Sequence, residues 1–216
     1  MNGAIYENRI DGAHALLKDL RKYGGEDAIV VGLPRGGVVV GAIIAEALDL
    51  PLDVIVARKI GAPSQPELAI GAVAPNGVRF IEPEAVRALG LKPEVVDEIT
   101  ESARQEAQRR MERYSGGRSM PDLKGKTVII ADDGLATGAT ARAAALAAQA
   151  EQPSKIVIAV PVGASDTVRA LAEIADEVIC PAQPQPFHAV GLWYRNFDQT
   201  TDQEVMDLLS KAPSIH

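Results

Sequence analysis

Short apolar runs alternate with longer amphipathic stretches along most of the chain. Runs rich in β-branched residues predict buried strands over Ala28–Leu33, Asp53–Lys59 and Thr127–Asp132, and "KIVIAVPVG" and "DEVICP" predict two more. The stretches between them predict helices, including His14–Arg21 and Ala139–Ala150. Because strands that alternate with helices form βαβ units, the pattern predicts an α/β fold with a mostly parallel central sheet flanked by helices.

The segment between the second and third predicted strands breaks this alternation. "GAPSQPE" predicts a turn-rich loop, and "LAIGAVAPNGVRFIEP" predicts a hairpin that turns at Asn76-Gly77. A long polar helix is expected over about Pro93–Tyr114, and a short helix near Asp202–Ser210. We expect a single domain over residues 1–216, in which the hairpin and the long helix form an insertion.

Composition narrows the class of protein. Hydrophobic residues make up 47% of the 216 residues, which is enough for a sizeable core. The net charge of −7 and the lack of a long basic block argue against general nucleic-acid binding, since phosphate contacts need clustered Lys and Arg. The single cysteine, Cys180, fits a reducing compartment. Without a signal peptide or a long apolar run, we expect a cytoplasmic protein that does not span or bind a membrane.

Candidate chemistry concentrates in "VIIADDGLATGATARAA", Val128–Ala144. Ligands of parallel sheets bind outside the carboxyl ends of the strands, where Asp132 and Asp133 are expected. The following loop is rich in small residues and opens a helix, whose unpaired N–H groups and dipole favour an anion. Thr137 and Thr140 add hydroxyl donors. The segment therefore matches a molecule that carries a diol near a phosphate, such as ribose 5-phosphate.

Two other interpretations of this segment stay open. Asp133 is also suited to cap the helix in an ordinary acid-capped turn, and "IIADD" is also the pattern of a Walker-B metal site. The chain has no G-x-x-x-x-G-K-[ST], so a nucleoside triphosphatase would lack its phosphate loop. It also has no G-x-G-x-x-G after a strand, no G-x-S-x-G and no H-E-x-x-H, which argues against dinucleotide enzymes, α/β-hydrolases and zinc proteases.

The stretch "VIIADDGLATGAT" resembles the signature of type I phosphoribosyltransferases, whose substrate is 5-phosphoribosyl 1-diphosphate (PRPP). That signature is four apolar residues, two acids, two or three variable residues and T-G-x-T. "LPRGG", "ARKIGAP" and E-x-A-x-G-A-V are also similar to a subgroup of uncharacterised phosphoribosyltransferase-domain proteins. The resemblance spans about Ile10 to Leu209. It implies the type I phosphoribosyltransferase fold, with a core over about 10–185 and a hood built from about 1–12 and 181–216.

The resemblance implies roles for the residues of the signature. Asp132 and Asp133 would bind the ribose hydroxyls and hold Mg2+, directly or through water. The loop that follows would bind the 5-phosphate through Gly134, Ala136, Thr137, Gly138, Ala139 and Thr140. Purine-salvage members usually carry an aspartate where this chain has Ala136, which puts a hypoxanthine-guanine type of acceptor in doubt.

The resemblance also implies where the diphosphate binds. "LPRGG" occupies the place of the family's pyrophosphate loop, where Arg35, Gly36 and Gly37 would contact the diphosphate, often through a non-proline cis peptide. Lys59 matches the family's diphosphate-contacting lysine. The alternatives are a plain glycine turn ahead of a helix and a solvated strand end. Arg35, Lys59 and Mg2+ would together neutralise the leaving diphosphate.

The acceptor pocket would come from the hood. Aromatic residues are only 4% of the chain, yet they cluster in "PFHAVGLWYRNF", where a planar base could stack on Phe187 or Trp193. Ordinary edge packing or a subunit contact is the alternative. Two segments are candidates for closing the site: the "GAPSQPE" loop with Glu67, and "RRMERYSGGRSM". The arginines of the second segment are Arg109, Arg110, Arg113 and Arg118, and a solvated helix face with a Glu106–Arg110 pair is the alternative there.

The expected function is Mg2+-dependent phosphoribosyl transfer from PRPP to a nitrogen acceptor, such as a nucleobase, with release of diphosphate. A PRPP- or nucleotide-binding regulatory module without catalysis is the first alternative, and a phosphohydrolase or phosphotransfer reaction is the second. The expected partners are PRPP and a small-molecule acceptor, without nucleic acid, and a homodimer is a candidate assembly.

Overall fold

The computed structural model describes residues 3–63, 65–116 and 121–212, without the side chains of Pro66 and Glu67. The strands are β1 (Ala28–Gly32), β2 (Leu52–Val54), β3 (Arg58–Ala62), β4 (Gln65–Val73), β5 (Arg79–Ile81), β6 (Thr127–Ala131), β7 (Lys155–Ala159) and β8 (Glu177–Ile179). The α-helices are α1 (Arg9–Leu20), α2 (Gly36–Leu48), α3 (Pro83–Ala88), α4 (Pro93–Ser115), α5 (Ala139–Ala150), α6 (Ser165–Leu171) and α7 (Asp202–Lys211). Short 3-10 helices cover Arg21–Tyr23 and Val190–Trp193.

The central sheet has five strands in the order β2-β1-β6-β7-β8, and every neighbouring pair is parallel. All residues of β1 and β6 are buried, as expected for strands covered by helices on both faces. Val30 and Ile129 pack on the side of α1 and α2, whereas Ile29, Val31 and Ile130 pack on the side of α5. The predicted α/β fold with a mostly parallel, helix-flanked sheet is confirmed.

The second predicted strand, Asp53–Lys59, is wrong as a single element. β2 ends at Val54, and Arg58 begins a separate antiparallel sheet in the order β3-β4-β5. Val54, Ile55 and Val56 are all buried. A continuous apolar run is compatible with either sheet, so periodicity could not locate the break between them.

The "GAPSQPE" stretch is also not the simple loop that was predicted. Gly61 and Ala62 belong to β3 and pair with Ala69 and Gln65 of β4, with irregular register at both steps. The predicted hairpin between β4 and β5 is confirmed, and Gly77 at its turn has φ of 84°. This small sheet packs its apolar face, centred on Ile60 and Ile70, against α3 and α4.

The predicted helices agree with the structure, apart from some ends. Ala139–Ala150 has the predicted bounds, and the long helix α4 covers the predicted Pro93–Tyr114 with one further residue. α1 begins at Arg9 rather than His14, because the Asn8 side chain caps it by accepting the N–H of Asp11 at 3.0 Å. No helix in the described part of the chain is both long and apolar enough to cross a membrane.

Candidate active site at the carboxyl edge of the parallel sheet

Asp132 and Asp133 follow the last residue of β6 and lie half-buried at the carboxyl edge of the sheet. Oδ1 of Asp132 accepts the backbone N–H of Asp133 at 2.8 Å, and Oδ2 of Asp133 accepts Nε of Arg9 at 2.8 Å. Burial raises the pKa of both carboxyls, and the charge of Asp133 raises the pKa of Asp132 further. Arg9 works in the opposite direction on both groups. A cation or hydroxyl donors at this pair would therefore be bound favourably.

Sequence reasoning did not find Arg9. This residue opens α1, and its guanidinium carbon lies 3.9 Å from the centroid of the Phe197 ring. Its Nη1 donates to the carbonyl oxygen of Asp198 at 2.7 Å. The pairing with Asp133 spans 124 residues, and the local pattern around Arg9 does not distinguish it from a solvated arginine.

The "PRGG" segment connects β1 to α2 and packs directly against the acid pair. The Pro34–Arg35 peptide bond is cis, and α2 begins at Gly36. A Cβ atom on Gly36 would lie 1.9 Å from Oδ2 of Asp133, and one on Gly37 would lie 2.5 Å from the carbonyl oxygen of Ala131. Only glycine fits such approaches. The first N–H groups of α2, which have no intrahelical acceptors, therefore lie close to the two carboxylates.

The two cations predicted at the diphosphate differ in position. Lys59 lines a cavity beside the "PRGG" segment, together with Pro34. The guanidinium of Arg35 instead approaches α7, where its Nη1 lies 3.9 Å from Oδ1 of Asp202. The backbone of Arg35 stays at the head of α2, so its N–H lies at that end of the site while its guanidinium lies near α7.

The cavity has a volume of about 540 Å3 and is bounded by "PRGG", β3, α4 and the start of α5. Its charged lining residues, within the described part of the chain, are Arg58, Lys59 and Arg110. Thr140, at the start of α5, reaches it from the side of the acid pair. A polyanion placed there would meet positive charge on a protein whose net charge is −7.

The loop between the acid pair and α5 is fixed by a glycine with positive φ and by a hydrogen bond from α6. Gly138 has φ of 70° at the N-cap of α5, and a Cβ atom there would lie 2.5 Å from Cγ2 of Thr167. The Thr167 hydroxyl donates to the carbonyl oxygen of Ala136 at 2.6 Å. Thr137 is exposed, and Ala139 and Thr140 begin the helix. The site residues predicted in this loop thus surround a second helix N-terminus next to the acids.

The hood closes over the acid pair from the other side. Oη of Tyr194 donates to the carbonyl oxygen of Asp133 at 2.6 Å, and a Cβ atom on Gly134 would lie 2.5 Å from Cγ1 of Val190. The segment before α1 joins the C-terminal part of the hood, because the backbone N–H groups of Ile5 and Tyr6 both donate to the carbonyl oxygen of Trp193.

The two residues predicted to stack on the acceptor are not equally accessible. Trp193 is 5% exposed and packs with Tyr6 and Tyr194 inside the hood, which is the position that the edge-packing alternative describes. The Phe187 ring centroid lies 6.0 Å from that of Trp193, and Phe187 is half-buried, so part of its surface stays exposed.

The remaining predicted residues fall in three groups. Arg109 and Arg110 pair with Glu106 at 2.7 and 3.3 Å, as the helix-face alternative expects. Arg113 pairs with Asp202 at 2.6 Å. Arg118 lies outside the described residues, as does the side chain of Glu67.

Comparisons with a family model and with curated proteins point to the same protein family. Residues 1–191 match the family model described as "Phosphoribosyl transferase domain". A curated protein of Mycobacterium tuberculosis, named "Putative phosphoribosyl transferase", is 45% identical over 208 residues, which are 96% of this chain and 47% of that protein. A second strain of the same organism gives the same figures. The chain thus spans about half the length of the curated relatives it matches.

A solved structure matches at the level of the whole fold. The crystal structure of the protein TT1426 from Thermus thermophilus is 38% identical, with a TM-score of 0.80. The match covers 94% of this chain and 97% of that one, so the central sheet and the antiparallel insertion lie within a shared architecture.

Proposed function

The chain belongs to the phosphoribosyltransferase family, in its type I fold, and from this premise we propose that it transfers a phosphoribosyl group from PRPP to a nitrogen acceptor. The observation that carries the proposal is the position of Asp132 and Asp133. They lie between the N-termini of α2 and α5 and close to a cavity lined by three cations. A diol with a phosphate on one side and a diphosphate on the other fits this order.

In the proposed complex the two aspartates accept the ribose hydroxyls. The 5-phosphate binds at the start of α5, where Thr137 and Thr140 add hydroxyl groups to the backbone N–H donors. The diphosphate binds at the head of α2 and extends into the cavity beside Lys59. Each charged part of PRPP then faces groups of opposite charge or dipole.

The proposed reaction is a substitution at C1 of the ribose. The bond from C1 to the diphosphate oxygen breaks, and its electron pair leaves with the diphosphate. A lone pair of the acceptor nitrogen forms the new bond to C1, and the nitrogen releases its proton to water. The carboxylates of Asp132 and Asp133 hold the ribose in place under the cationic centre that develops, while Lys59 and the N–H groups of α2 stabilise the departing charge.

The donor set at the acid pair fits Mg2+. Among the described residues no group of three or more His, Cys, Asp or Glu forms a metal cage. Mg2+ does not need one, because it commonly binds through one or two carboxylates together with substrate phosphates and water. Asp132 and Asp133 are the residues that would hold it, and when bound it would offset the charge of the diphosphate.

The acceptor, the homodimer and the cytoplasmic location stay predictions. The exposed Ala136 offers no side-chain acid or base to an acceptor, which supports an acceptor that needs no such group from this loop. One observation favours the regulatory alternative: Arg9 occupies Oδ2 of Asp133, an oxygen that the transfer mechanism directs at the ribose.

The test is to incubate the protein with PRPP, Mg2+ and a panel of nitrogen bases, and to follow diphosphate release. Release that requires one base, and that is lost in Asp132→Asn combined with Asp133→Asn, supports the transferase. Asp166→Asn is the matched control, since that side chain is 89% exposed and pairs with Arg169 at the surface. PRPP binding without release for any base would favour the regulatory module, and release of phosphate would favour hydrolysis or phosphotransfer.

A further inference from the structure

Two arginines in the cavity have no role in the mechanism above. Arg58 begins β3 and Arg110 lies in α4, 52 positions apart in the chain. Both line the cavity beside Lys59. They reach it from different elements, so the positive charge there is assembled by the packing of the small sheet against α4.

Glu106 holds the two arginines at the cavity. Its Oε1 lies 3.3 Å from Nε of Arg110 and 3.9 Å from Nη1 of Arg58. Arg109 pairs with the other oxygen of the same carboxylate at 2.7 Å, but it is 65% exposed and does not line the cavity. One carboxylate therefore orients three arginines and neutralises only a third of their charge, so the cluster stays cationic.

The geometry and the charge of the cavity both indicate an anion with phosphate groups as its ligand. The guanidinium of Arg35 lies 3.9 Å from the carboxylate of Asp202 at α7, so the positive charge that lines the cavity comes from other residues. A guanidinium binds phosphate oxygens through two parallel N–H groups, which a lysine cannot do. The cavity of about 540 Å3 lies within the size range of small-molecule sites.

We propose that Arg58 and Arg110, oriented by Glu106, bind the diphosphate of PRPP. The inference rests on the proposed function and deepens it. It assigns to α4, part of the insertion, a substrate-binding role in addition to a structural one.

The experiment titrates PRPP, inorganic diphosphate and ribose 5-phosphate, each with Mg2+, into the wild type and into Arg110→Ala, Arg58→Ala and Arg109→Ala. Arg110→Ala and Arg58→Ala each weaken diphosphate binding about tenfold, since each removes a charge-assisted hydrogen bond. Arg109→Ala keeps wild-type affinity, because it removes a guanidinium from the same carboxylate but not from the cavity. The affinity for ribose 5-phosphate is the same in all four proteins.

Arg110→Lys keeps the positive charge but removes the two parallel N–H groups of the guanidinium. It should recover only part of the diphosphate affinity that Arg110→Ala loses. Thermal melting checks that each variant is folded. If the wild type binds PRPP and Arg110→Ala binds diphosphate equally well, the inference is overturned and the proposed function stands. If the wild type binds neither PRPP nor diphosphate, the proposed function itself fails and the inference falls with it.

Discussion

At the scale of single residues, the closest approach in the site is at Gly36. A methyl group there would overlap Oδ2 of Asp133 and lie 2.7 Å from Nε of Arg9, so the ion pair would have to move. We expect Gly36→Ala to weaken PRPP binding at least about tenfold and to lower the free energy of unfolding by about 2 kcal/mol. Calorimetry and urea unfolding measure the two effects. In the control Gly24→Ala the nearest atom lies at an ordinary 3.4 Å, and a similar loss there would contradict the explanation.

The acid pair is expected to destabilise the fold that carries it. Burial raises the pKa of Asp132 above its value in the unfolded chain, so the ionised carboxylate destabilises the folded state at neutral pH. This cost disappears below the ordinary aspartate pKa of about 3.9, where both states are protonated. Asn at this position is neutral and still accepts the N–H of Asp133.

Asp132→Asn should therefore raise the free energy of unfolding at neutral pH by about 1 kcal/mol, measured without Mg2+ or PRPP. The difference from wild type should shrink as the pH falls toward about 4. Asp166→Asn, which makes the same change at an exposed position, is the control for the substitution itself. Equal stability of Asp132→Asn and wild type at neutral pH would mean that the carboxylate carries no burial cost.

At the scale of secondary-structure elements, local pattern predicted most of the fold. β1 and β6 are buried on both faces, and such strands have apolar runs that a sequence shows directly. The division of Asp53–Lys59 between two sheets depends on which strand each half pairs with. That pairing is a long-range property, so the local residue pattern did not reveal it.

The same limit applies to the site. Asp132, Asp133 and the glycines of "PRGG" belong to short motifs, and their residue types and spacing predicted that they would lie together at the edge of the sheet, as they do. Arg9 reaches the site across 124 residues, and Arg110 pairs within its own helix while also lining a cavity formed by other elements. The sequence around Arg9 therefore indicates only a solvated charge, and the sequence around Arg110 indicates a helix-face pair with Glu106 but not the cavity that other elements form beside it.

α1 is fixed to the end of β6 by Arg9 and Asp133, whose side chains are only 13% and 17% exposed. Arg9→Gln should lower the free energy of unfolding by about 2 kcal/mol at neutral pH, because it leaves Asp133 without its counter-ion. In an Asp133→Asn background the same change should cost less, although it still removes the contacts with Phe197 and Asp198. A double-mutant cycle isolates the pair, and strictly additive costs would show that it contributes nothing.

At the scale of the whole molecule, charge is distributed unevenly. The chain has a net charge of −7, yet Arg58, Lys59 and Arg110 converge on one cavity whose described lining includes no acid. Global charge therefore does not decide which ligand the protein accepts. The local field does, since a polyanion within the cavity interacts mainly with charges a few ångströms away.

Asp202 connects distant parts of the molecule. It begins α7, accepts the Tyr114 hydroxyl at 2.6 Å, and pairs with Arg113 at 2.6 Å and with Arg35 at 3.9 Å. The C-terminal helix, the insertion helix α4 and the "PRGG" segment thus share one carboxylate. The hydrogen bond from Tyr114 is the main reason why the pKa of Asp202 is lowered. The carboxylate is therefore ionised at neutral pH, and its ion pairs are lost only when acid protonates it.

Asp202→Asn should lower the free energy of unfolding by about 1 kcal/mol and speed amide hydrogen exchange in both α7 and the start of α2. The exchange at α2 is the informative readout, because a helix that merely frays at its own end would show the change only in α7. Asp207→Asn is the matched control in the same helix, since the Asp207 carboxylate accepts a surface hydrogen bond from Gln203, within α7 itself. Faster exchange confined to α7 in Asp202→Asn would show that the carboxylate does not hold the loop at which the diphosphate is proposed to bind.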